Sequence, residues 1–246
     1  MKKIAFVSDL QAPFYNEAAV ASLGRFLRKW KPDQVICIGD EIDLPQLGGF
    51  AQPWQEVEGS IDDDRKLTLE ILQYLGVTDV LGSNHGARVY KSLSKRLPAF
   101  MNLPELQYHK FMGYDRAGIK YHPQGFEFAP NWVCQHSDAF PLNTTPALTA
   151  LNGAKRLGKS VVCGHTHRLG LTASTEAFNG VLGRTVWGME VGNLVDLTSK
   201  GMGYTKGYAS WQTGFAVCTV QGKHVQPIPV PMNVYGEFIF EGKWYD

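Results

Sequence analysis

Five short apolar runs in this sequence each end abruptly in polar residues, and this pattern constrains the fold more than any other feature. The runs cover residues 4–7, 34–38, 78–81, 132–135 and 160–163, and the polar clusters that follow contain Asp9, Asp40, Asn84, His136, and His165 with His167. The first three runs alternate with helical patterns at 17–29 and 62–75. This alternation predicts parallel strands joined by crossover helices. Because ligand groups gather at the carboxyl ends of such strands, we expect the polar clusters to meet there.

The remainder of the chain completes the predicted architecture. Helical patterns occupy 87–97 and about 144–157, where Thr144 or Thr145 is the expected N-cap and Pro146 lies in the first turn. Residues 185–191, 214–220 and 225–230 read as antiparallel strands, and 99–130 is mixed. A loop follows the second strand and contains Pro45, Gly48, Gly49 and Pro53. With no repeat or linker, we predict one domain, residues 1–246. Its expected class is α/β, a two-sheet αββα sandwich with mixed parallel and antiparallel strands and a dimetal site at the strand carboxyl ends.

Composition restricts the function classes. The 44% hydrophobic content is that of an ordinary globular chain, and a net charge of +1 gives no electrostatic support for a nucleic-acid polymer as partner. The four cysteines lie in apolar runs without paired spacing, which favours buried free thiols in a reducing compartment. No apolar stretch has the roughly 20 residues that a membrane helix needs, and no signal-peptide pattern opens the chain. We therefore expect a cytoplasmic protein without a membrane partner.

The residue types in the polar clusters indicate metal binding. Carboxylates, an Asn carbonyl and several imidazoles suit Mn²⁺, Fe²⁺, Zn²⁺, Co²⁺ or Ni²⁺, and suit Ca²⁺ less well. The clusters offer no thiolate, which argues against a structural zinc site. Two such ions about 3.5–4 Å apart can clamp a phosphoryl group and lower the pKa of a bridging water.

The order of the motifs resembles that of the calcineurin-like metallophosphoesterases, including the small members that phages encode. The residues that carry the resemblance, in chain order, are Asp9-x-Gln11, Gly39-Asp40-x-x-Asp43, Asn84-His85, His136, and Gly164-His165-x-His167. They span residues 4–167. The second and last motifs match the family pattern outright, and the order and spacing make the resemblance specific.

The resemblance implies a role for each residue. The implied ligands of two divalent ions are Asp9, Gln11, Asp40, Asn84, His136, His165 and His167. Asp40 would bridge both ions, with Asp9 and His167 completing the first site, at which Gln11 also stands. Asn84, His136 and His165 would complete the second site. His85 would bind the phosphate and protonate the leaving oxygen, and Asp43 would orient ligands.

Three positions depart from the family pattern. Gln11 stands where the first motif has His, and an amide oxygen is a weaker and harder ligand than imidazole. This change implies looser metal binding or a preference for Mn²⁺. Ser83 replaces a Gly, and Gly86 replaces the acid that follows the motif histidine. Whatever that acid orients must be oriented otherwise in this chain.

Other interpretations exist for single residues. Asp9 and Asp40 alone would fit turn or helix caps. His109 and His122 compete with His136, which we favour because it alone follows a clean apolar run.

Two further sets of residues carry alternatives. Arg88 fits a solvated helix face, with phosphate binding as the alternative. A group of aromatic residues fits core or loop packing, with stacking of a nucleobase as the alternative; these residues are Trp187, Tyr204, Tyr208 and Trp211.

The sequence thus predicts a dimetal phosphodiesterase that hydrolyses small phosphodiesters through a metal-bridging hydroxide, with Mn²⁺ favoured. By analogy with the family, cyclic nucleotides such as 2′,3′-cyclic monophosphates are candidate substrates. The alternatives are a nuclease, a phosphomonoesterase, or a catalytically weakened metal-binding scaffold for a protein partner. The presence of His85 favours an enzyme, because a scaffold has no need for a proton donor beside Asn84.

Overall fold

The structure is a computed structural model that describes residues 1–48, 59–199, 202 and 209–246. Its helices are α1 (Glu17–Trp30), α2 (Ile61–Tyr74), α3 (Ala87–Arg96), α4 (Tyr108–Met112), α5 (Tyr114–Ala117) and α6 (Leu148–Leu157). Its strands are β1 (Lys2–Val7), β2 (Gln34–Cys37), β3 (Asp79–Leu81), β4 (Lys120–His122), β5 (Phe126–Ala129), β6 (Trp132–Gln135), β7 (Ser160–Cys163), β8 (Leu169–Phe178), β9 (Val181–Val191), β10 (Gly214–Gln221), β11 (His224–Pro231), β12 (Phe238–Phe240) and β13 (Lys243–Tyr245). Short 3-10 turns occupy Pro45–Leu47, Pro98–Asn102 and Pro104–Leu106.

Two mixed sheets form the centre of the fold. The first has the strand order β11-β10-β1-β2-β3-β4, and β1 to β4 run parallel. The second has the order β5-β6-β7-β9-β8, in which β6, β7 and β9 run parallel. The outer strands β11 and β8 are antiparallel to their neighbours. The prolines at 227, 229 and 231 of β11 are tolerated because an edge strand leaves one side of its backbone unpaired.

Apolar side chains pack between the two sheets and between each sheet and its helices, and these contacts define the layers of the fold. Ile4, Phe6 and Ile36 of the first sheet share one buried cluster with Val162 and Met189 of the second. The outer face of the first sheet packs on α1 and α2, and the outer face of the second packs on α6. These layers confirm the predicted two-sheet αββα sandwich.

Local sequence signals explain where α1 and α2 begin. The Asn16 side chain accepts a hydrogen bond from the Ala19 amide at 2.9 Å and begins α1. The Ser60 side chain caps α2 in the same way through the Asp63 amide. No helix in these described segments has the length and hydropathy needed to cross a bilayer.

The predicted start of α6 was wrong. The helix begins at Leu148, and Ala147 before it has a left-handed backbone with φ of 67°. Thr145 lies instead in a turn, where its amide donates to the Asn143 side chain. Because this turn lies where the N-cap was expected, the helix begins later, and Pro146 precedes it rather than lying in its first turn.

The second sheet contains a strand that the apolar pattern did not reveal. Strand β8 has mostly half-exposed or exposed side chains, so it lacks the alternation that marks a half-buried strand. Its partner β9 starts at Val181, four residues before the predicted 185–191 segment. The mixed segment 99–130 forms α4, α5, β4 and β5. The predicted loop residues Gly49 and Pro53, and the aromatic residues Tyr204 and Tyr208, lie outside the described residues.

Candidate metal centre

The strand tips that carry the candidate ligands have unusual backbone geometry. Five residues adopt left-handed φ angles between 48° and 69°, namely Asp9, Gln11, Asp40, His165 and His167. Such angles are uncommon for residues other than glycine, and each costs on the order of 1 kcal/mol or more. The chain turns sharply at these points, and the side chains of both sheets point into one region.

One group of side chains forms around Asp9. Its carboxylate Oδ1 lies 3.1 Å from Nε2 of His167, and its Oδ2 accepts hydrogen bonds from the Ser8 hydroxyl and the His165 amide at 2.6 and 3.0 Å. The Gln11 amide nitrogen lies 3.4 Å from the same Nε2 of His167. A Cβ atom on Gly164 would come within 1.9 Å of the Ser8 hydroxyl, so this approach of the two sheets requires glycine.

A second group forms around His136. Its Nε2 lies 2.7 Å from Oδ1 of Asn84 and 3.3 Å from Oδ2 of Asp40, while its Nδ1 lies 2.7 Å from the Ile38 carbonyl oxygen. The rings of His136 and His165 are 4.9 Å apart. One potential ligand atom each from Asp40, His136 and His165 lies within 4.8 Å of the others. The two groups adjoin, because the backbone N–H of Gln11 donates to the backbone carbonyl of Asp40 at 2.8 Å.

Burial and close charges shift the pKa values at this centre. Burial raises the pKa of Asp40, but His136 and His85 outweigh it and hold the pKa well below its ordinary value. Burial also raises the pKa of Asp9, and His167 reverses this, so the net pKa is lowered. Burial lowers the pKa of His136, whereas Asp40 raises it to about 9. The pKa of His165 is lowered by burial and by His136. The region therefore holds ionised carboxylates among closely packed imidazoles.

His85 lies at the edge of this centre with three charged side chains close to its ring. Its Nδ1 is 2.8 Å from Oδ1 of Asp43, and its Nε2 is 3.7 Å from Oδ2 of Asp40. The Arg88 guanidinium lies 3.1 Å from Nε2 of His85 and 3.4 Å from Oδ1 of Asp43, and it also donates to the Asp43 carbonyl. Burial lowers the pKa of His85, but Asp40 and Asp43 together raise it above its ordinary value.

Unpaired buried atoms test whether these residues fit a cation. Gln11 Oε1 is buried without a hydrogen-bond partner among the described residues, and Asp9 Oδ1 is buried with the His167 ring nitrogen at 3.1 Å as its close neighbour. A buried acceptor left unpaired costs about 1–3 kcal/mol, and a cation would satisfy both oxygens. Oxygen and imidazole donors together suit a borderline divalent ion. The residues present therefore fit a divalent cation.

All the candidate ligands predicted from the sequence come together here, and the competing histidines do not join them. His122 contacts Asp79, with 2.7 Å between Nε2 and Oδ1, and His109 lies 3.7 Å from Asp115. Arg88 turns toward His85 rather than lying on a purely solvated face. Trp187 is partly exposed on β9, whereas the Trp211 ring packs 4.1 Å from the His167 ring.

Three residues that support the centre were given no role from the sequence. Glu41 is fully buried, and its Oε1 accepts hydrogen bonds from the hydroxyls of Tyr108 and Tyr114 at 2.6 and 2.7 Å. Burial raises the pKa of Glu41. The Asn193 amide donates to the His167 carbonyl at 3.0 Å. Ser8 bonds the Asp9 carboxylate, as described above. A buried acid directly after Asp40 was the available signal for Glu41, and the position of Ser8 directly before Asp9 was the signal for Ser8. The partner of Asn193 is 26 residues away in sequence.

Comparison with known proteins identifies relatives among phage proteins. The chain is 32% identical over 256 residues to the Gene 54 protein of Mycobacterium phage L5, covering 100% of this chain and 99% of that protein. It is 32% identical over 252 residues to the Gene 54 protein of Mycobacterium phage D29, with coverages of 98% and 97%. No protein-family model matches the chain. Among solved structures, Vacuolar Protein Sorting 29 of Cryptosporidium parvum aligns over 99% of this chain and 94% of its own, with 14% identity and a TM-score of 0.47. The identity to the two phage proteins extends along the whole chain, and this chain belongs to the Gene 54 protein family of mycobacteriophages L5 and D29.

Proposed function

We propose that this protein is a metal-dependent phosphoesterase of the calcineurin-like kind that hydrolyses small phosphodiesters. The observation that carries the proposal is the convergence of ligand-type side chains from both sheets around Asp40, with His85 beside them. The same residues form the sequence motifs whose order resembles that of this family. A cluster with metal-ligand chemistry alone would also suit a scaffold, and His85 is the feature that favours catalysis.

The proposed ligand set has two halves. Asp9, Gln11 and His167 would hold one divalent ion, Asn84, His136 and His165 would hold a second, and Asp40 would be shared. Bound divalent ions supply Lewis acidity to a phosphoryl group and lower the pKa of water. The mixed oxygen and nitrogen donors, with an amide at Gln11, favour Mn²⁺ in this proposal, with Fe²⁺, Zn²⁺, Co²⁺ or Ni²⁺ as alternatives.

His85 is the proposed proton donor. In the hydrolysis, an oxygen of water forms a bond to phosphorus while the bond from phosphorus to the leaving oxygen breaks. The proton on Nε2 of the imidazolium form of His85 passes to that leaving oxygen, while Asp43 holds the opposite ring nitrogen. The proton that the attacking water loses passes to solvent, from which His85 is protonated again. Asp43 supports this role, since a carboxylate 2.8 Å from Nδ1 favours the imidazolium form, which is the one that donates.

Arg88 is proposed to bind the substrate phosphate. Its guanidinium lies 3.1 Å from His85 Nε2, so a phosphoryl oxygen that reaches this nitrogen also meets a fixed positive charge. Arginine suits this task because it presents several donors in one plane.

The substrate class follows from charge and resemblance together. A net charge of +1 offers little attraction to a long polyanion, which favours a small diester, cyclic nucleotides included, over polymeric nucleic acid. A cytoplasmic location is part of the same proposal.

The test is hydrolysis of bis-p-nitrophenyl phosphate by the purified protein, with added Mn²⁺ and, separately, with EDTA. We expect nitrophenol release that requires the metal and is lost in Asp40→Ala. The monoester p-nitrophenyl phosphate, assayed in parallel, should be the poorer substrate. Preference for the monoester would make this a phosphomonoesterase. No release from either ester with any of the five metals would contradict the enzymatic proposal and favour a metal-holding scaffold.

A further inference from the structure

A cavity of about 690 Å³ opens beside the candidate metal centre and has no role in the proposal so far. Its walls come from the tip of β3, the start of α3, α4 and β4. The lining includes the aromatic rings of Tyr90, Tyr108, His109 and Tyr121, together with the polar side chains of Gln107 and Asp138. Its volume is within the range of small-molecule sites in proteins, which is about 300–1,000 Å³.

The cavity adjoins the centre through the chain itself. Ser83 and Gly86 line it and flank the Asn84-His85 pair on either side. At another wall, Asp138 lies two residues after His136 and close enough to His165 to influence its charge. The cavity therefore borders the loop that carries His85 and offers room next to a phosphate bound there.

Hydrogen bonds fix the aromatic walls in place. The Tyr108 hydroxyl donates to the buried Glu41, and the Tyr90 hydroxyl donates to the Leu106 carbonyl while accepting from the Tyr108 amide. The Tyr108 and Tyr121 rings are 5.2 Å apart. Rings held in this way are preorganised, so a ligand loses little affinity in ordering them.

The chemistry of the lining selects a neutral, planar ligand. None of the described residues that line the cavity is Lys or Arg, and one is the acid Asp138, so a second phosphate or a carboxylate would be poorly accommodated. The His109 ring lies nearly parallel to the Tyr121 ring, with 24° between their planes and 6.4 Å between their centroids. Aromatic faces stack on heterocyclic rings, and amide and carboxylate groups pair with the polar edges of such rings.

We propose that this cavity binds the nucleoside of a phosphodiester substrate, with the nucleobase against Tyr121 and His109. This inference rests on the proposed function, because it assigns one ester group of the substrate to the cavity. The phosphate lies at the metal centre, the sugar passes Ser83 and Gly86, and the base occupies the aromatic region. His109 and Tyr121 are specificity-determining residues in this arrangement and touch no proposed metal ligand.

The test compares two diesters that release the same product. p-Nitrophenyl thymidine 5′-phosphate carries a nucleoside, and methyl p-nitrophenyl phosphate carries a methyl group in its place. We expect kcat/KM for the thymidine ester to exceed that for the methyl ester by about tenfold or more, the size of effect that base stacking on an aromatic ring gives. Direct binding of thymidine, measured by NMR titration, gives a readout that does not depend on catalysis.

Two variants test whether the preference for the thymidine ester arises in the cavity. His109→Ala and Tyr121→Leu should each lower kcat/KM for the thymidine ester about three- to tenfold, leave the methyl ester within about twofold, and weaken thymidine binding. The matched controls are His224→Ala and Tyr235→Leu, at exposed positions outside this cavity. Trp211→Leu tests the alternative that the nucleobase stacks on Trp211, whose ring packs on His167.

The outcomes separate the two proposals. Equal rates for both diesters with no thymidine binding would overturn the cavity assignment and leave the phosphodiesterase intact. Thymidine binding that depends on His109 and Tyr121, with no hydrolysis of either diester, would uphold the cavity and contradict the enzyme. A nucleoside preference abolished by Trp211→Leu and unchanged in both cavity variants would also overturn the assignment.

Discussion

The Nδ1 atom of His85 lies 2.8 Å from Oδ1 of Asp43, although the two residues follow different strands of the first sheet. In the motif that this chain resembles, an acid directly follows the histidine, and here that position is Gly86. Asp43 reaches the imidazole from the tip of β2 and supplies a carboxylate from another part of the chain. The orientation of His85 therefore depends on the packing of the two loops rather than on its sequence neighbour.

Replacement of Asp43 tests this dependence. We expect Asp43→Asn to lower kcat about 10- to 100-fold, because an amide no longer favours the ring orientation and charge that a carboxylate supports. Metal content, measured by mass spectrometry of the purified protein, should remain at the wild-type level. The control is Asp62→Asn, which removes an exposed carboxylate on α2. Equal kcat in Asp43→Asn and wild type would show that His85 needs no such partner.

His85 and the proposed ligands should behave differently when removed. His85→Ala is expected to lower kcat about 10²- to 10⁴-fold, the usual contribution of a positioned proton donor, with metal content unchanged. Asn84→Ala should lose metal and activity together, because the Asn84 carbonyl is a proposed ligand next to His136. Full activity in Asn84→Ala would contradict the ligand assignment. Loss of metal in His85→Ala would instead indicate that this residue helps to hold the ion.

Gln11 is the departure from the motif that bears most directly on metal affinity. Its Oε1 is buried and has no hydrogen-bond partner in the described part of the chain, and its side-chain amide nitrogen lies 3.4 Å from His167 Nε2. We expect Gln11→His to tighten binding of Zn²⁺ about tenfold or more, since imidazole is the better ligand for this ion. Competition with a chromogenic chelator measures the change. Unchanged affinity would mean that position 11 does not reach the ion.

Much of the fold followed from local patterns in the sequence. The polar tips after β1, β2, β3, β6 and β7 were predictable because buried parallel strands read as short apolar runs with an abrupt end. Asn16 at the N-cap and Pro32 just beyond the last turn delimit α1 for similar local reasons. Strand β8 was not predictable, since an exposed edge strand carries little apolar alternation. The start of α6 depended on the left-handed Ala147, which no propensity rule places there.

The centre shows the same division between local and long-range information. Strand-tip placement favoured His136 over His122, and His136 does lie beside Asp40 while His122 contacts Asp79. The Asp43–His85 contact joins the ends of two neighbouring parallel strands. From the sequence, the family resemblance was the one indication that Asp43 orients other side chains. The link from Glu41 to Tyr108 spans 67 positions and depends on how α4 packs. No local pattern in the sequence contains it.

Gly86 should resist substitution for a packing reason. A Cβ atom at this position would lie 2.8 Å from the Tyr108 ring, which the Glu41 carboxyl holds in place. We expect Gly86→Ala to lower the free energy of unfolding by about 1–3 kcal/mol, as overpacking does in a core. Urea denaturation measures this. The double variant Gly86→Ala/Tyr108→Leu should lose less than the sum of the two single variants, and strict additivity would show that the two residues do not clash.

Asp79 connects three strands of the first sheet away from the metal centre. Its Oδ2 accepts hydrogen bonds from the Gln34 amide and the Thr78 hydroxyl at 2.7 Å each, and its Oδ1 lies 2.7 Å from His122 Nε2. Burial raises the pKa of Asp79, but these three partners outweigh burial and lower the pKa below its ordinary value.

This lowered pKa gives the contribution of Asp79 a defined pH dependence. The ionised carboxylate stabilises the fold above the unfolded-state pKa of about 3.9, and the contribution is lost as the pH falls toward the lower folded-state pKa. We expect Asp79→Asn to lower the free energy of unfolding by about 1–3 kcal/mol at pH 7, and the difference from wild type to shrink below about pH 4. Urea denaturation at a series of pH values measures both. The exposed control Asp62→Asn should change little at pH 7, whereas a deficit in Asp79→Asn that stayed constant down to about pH 2 would show that charge plays no part.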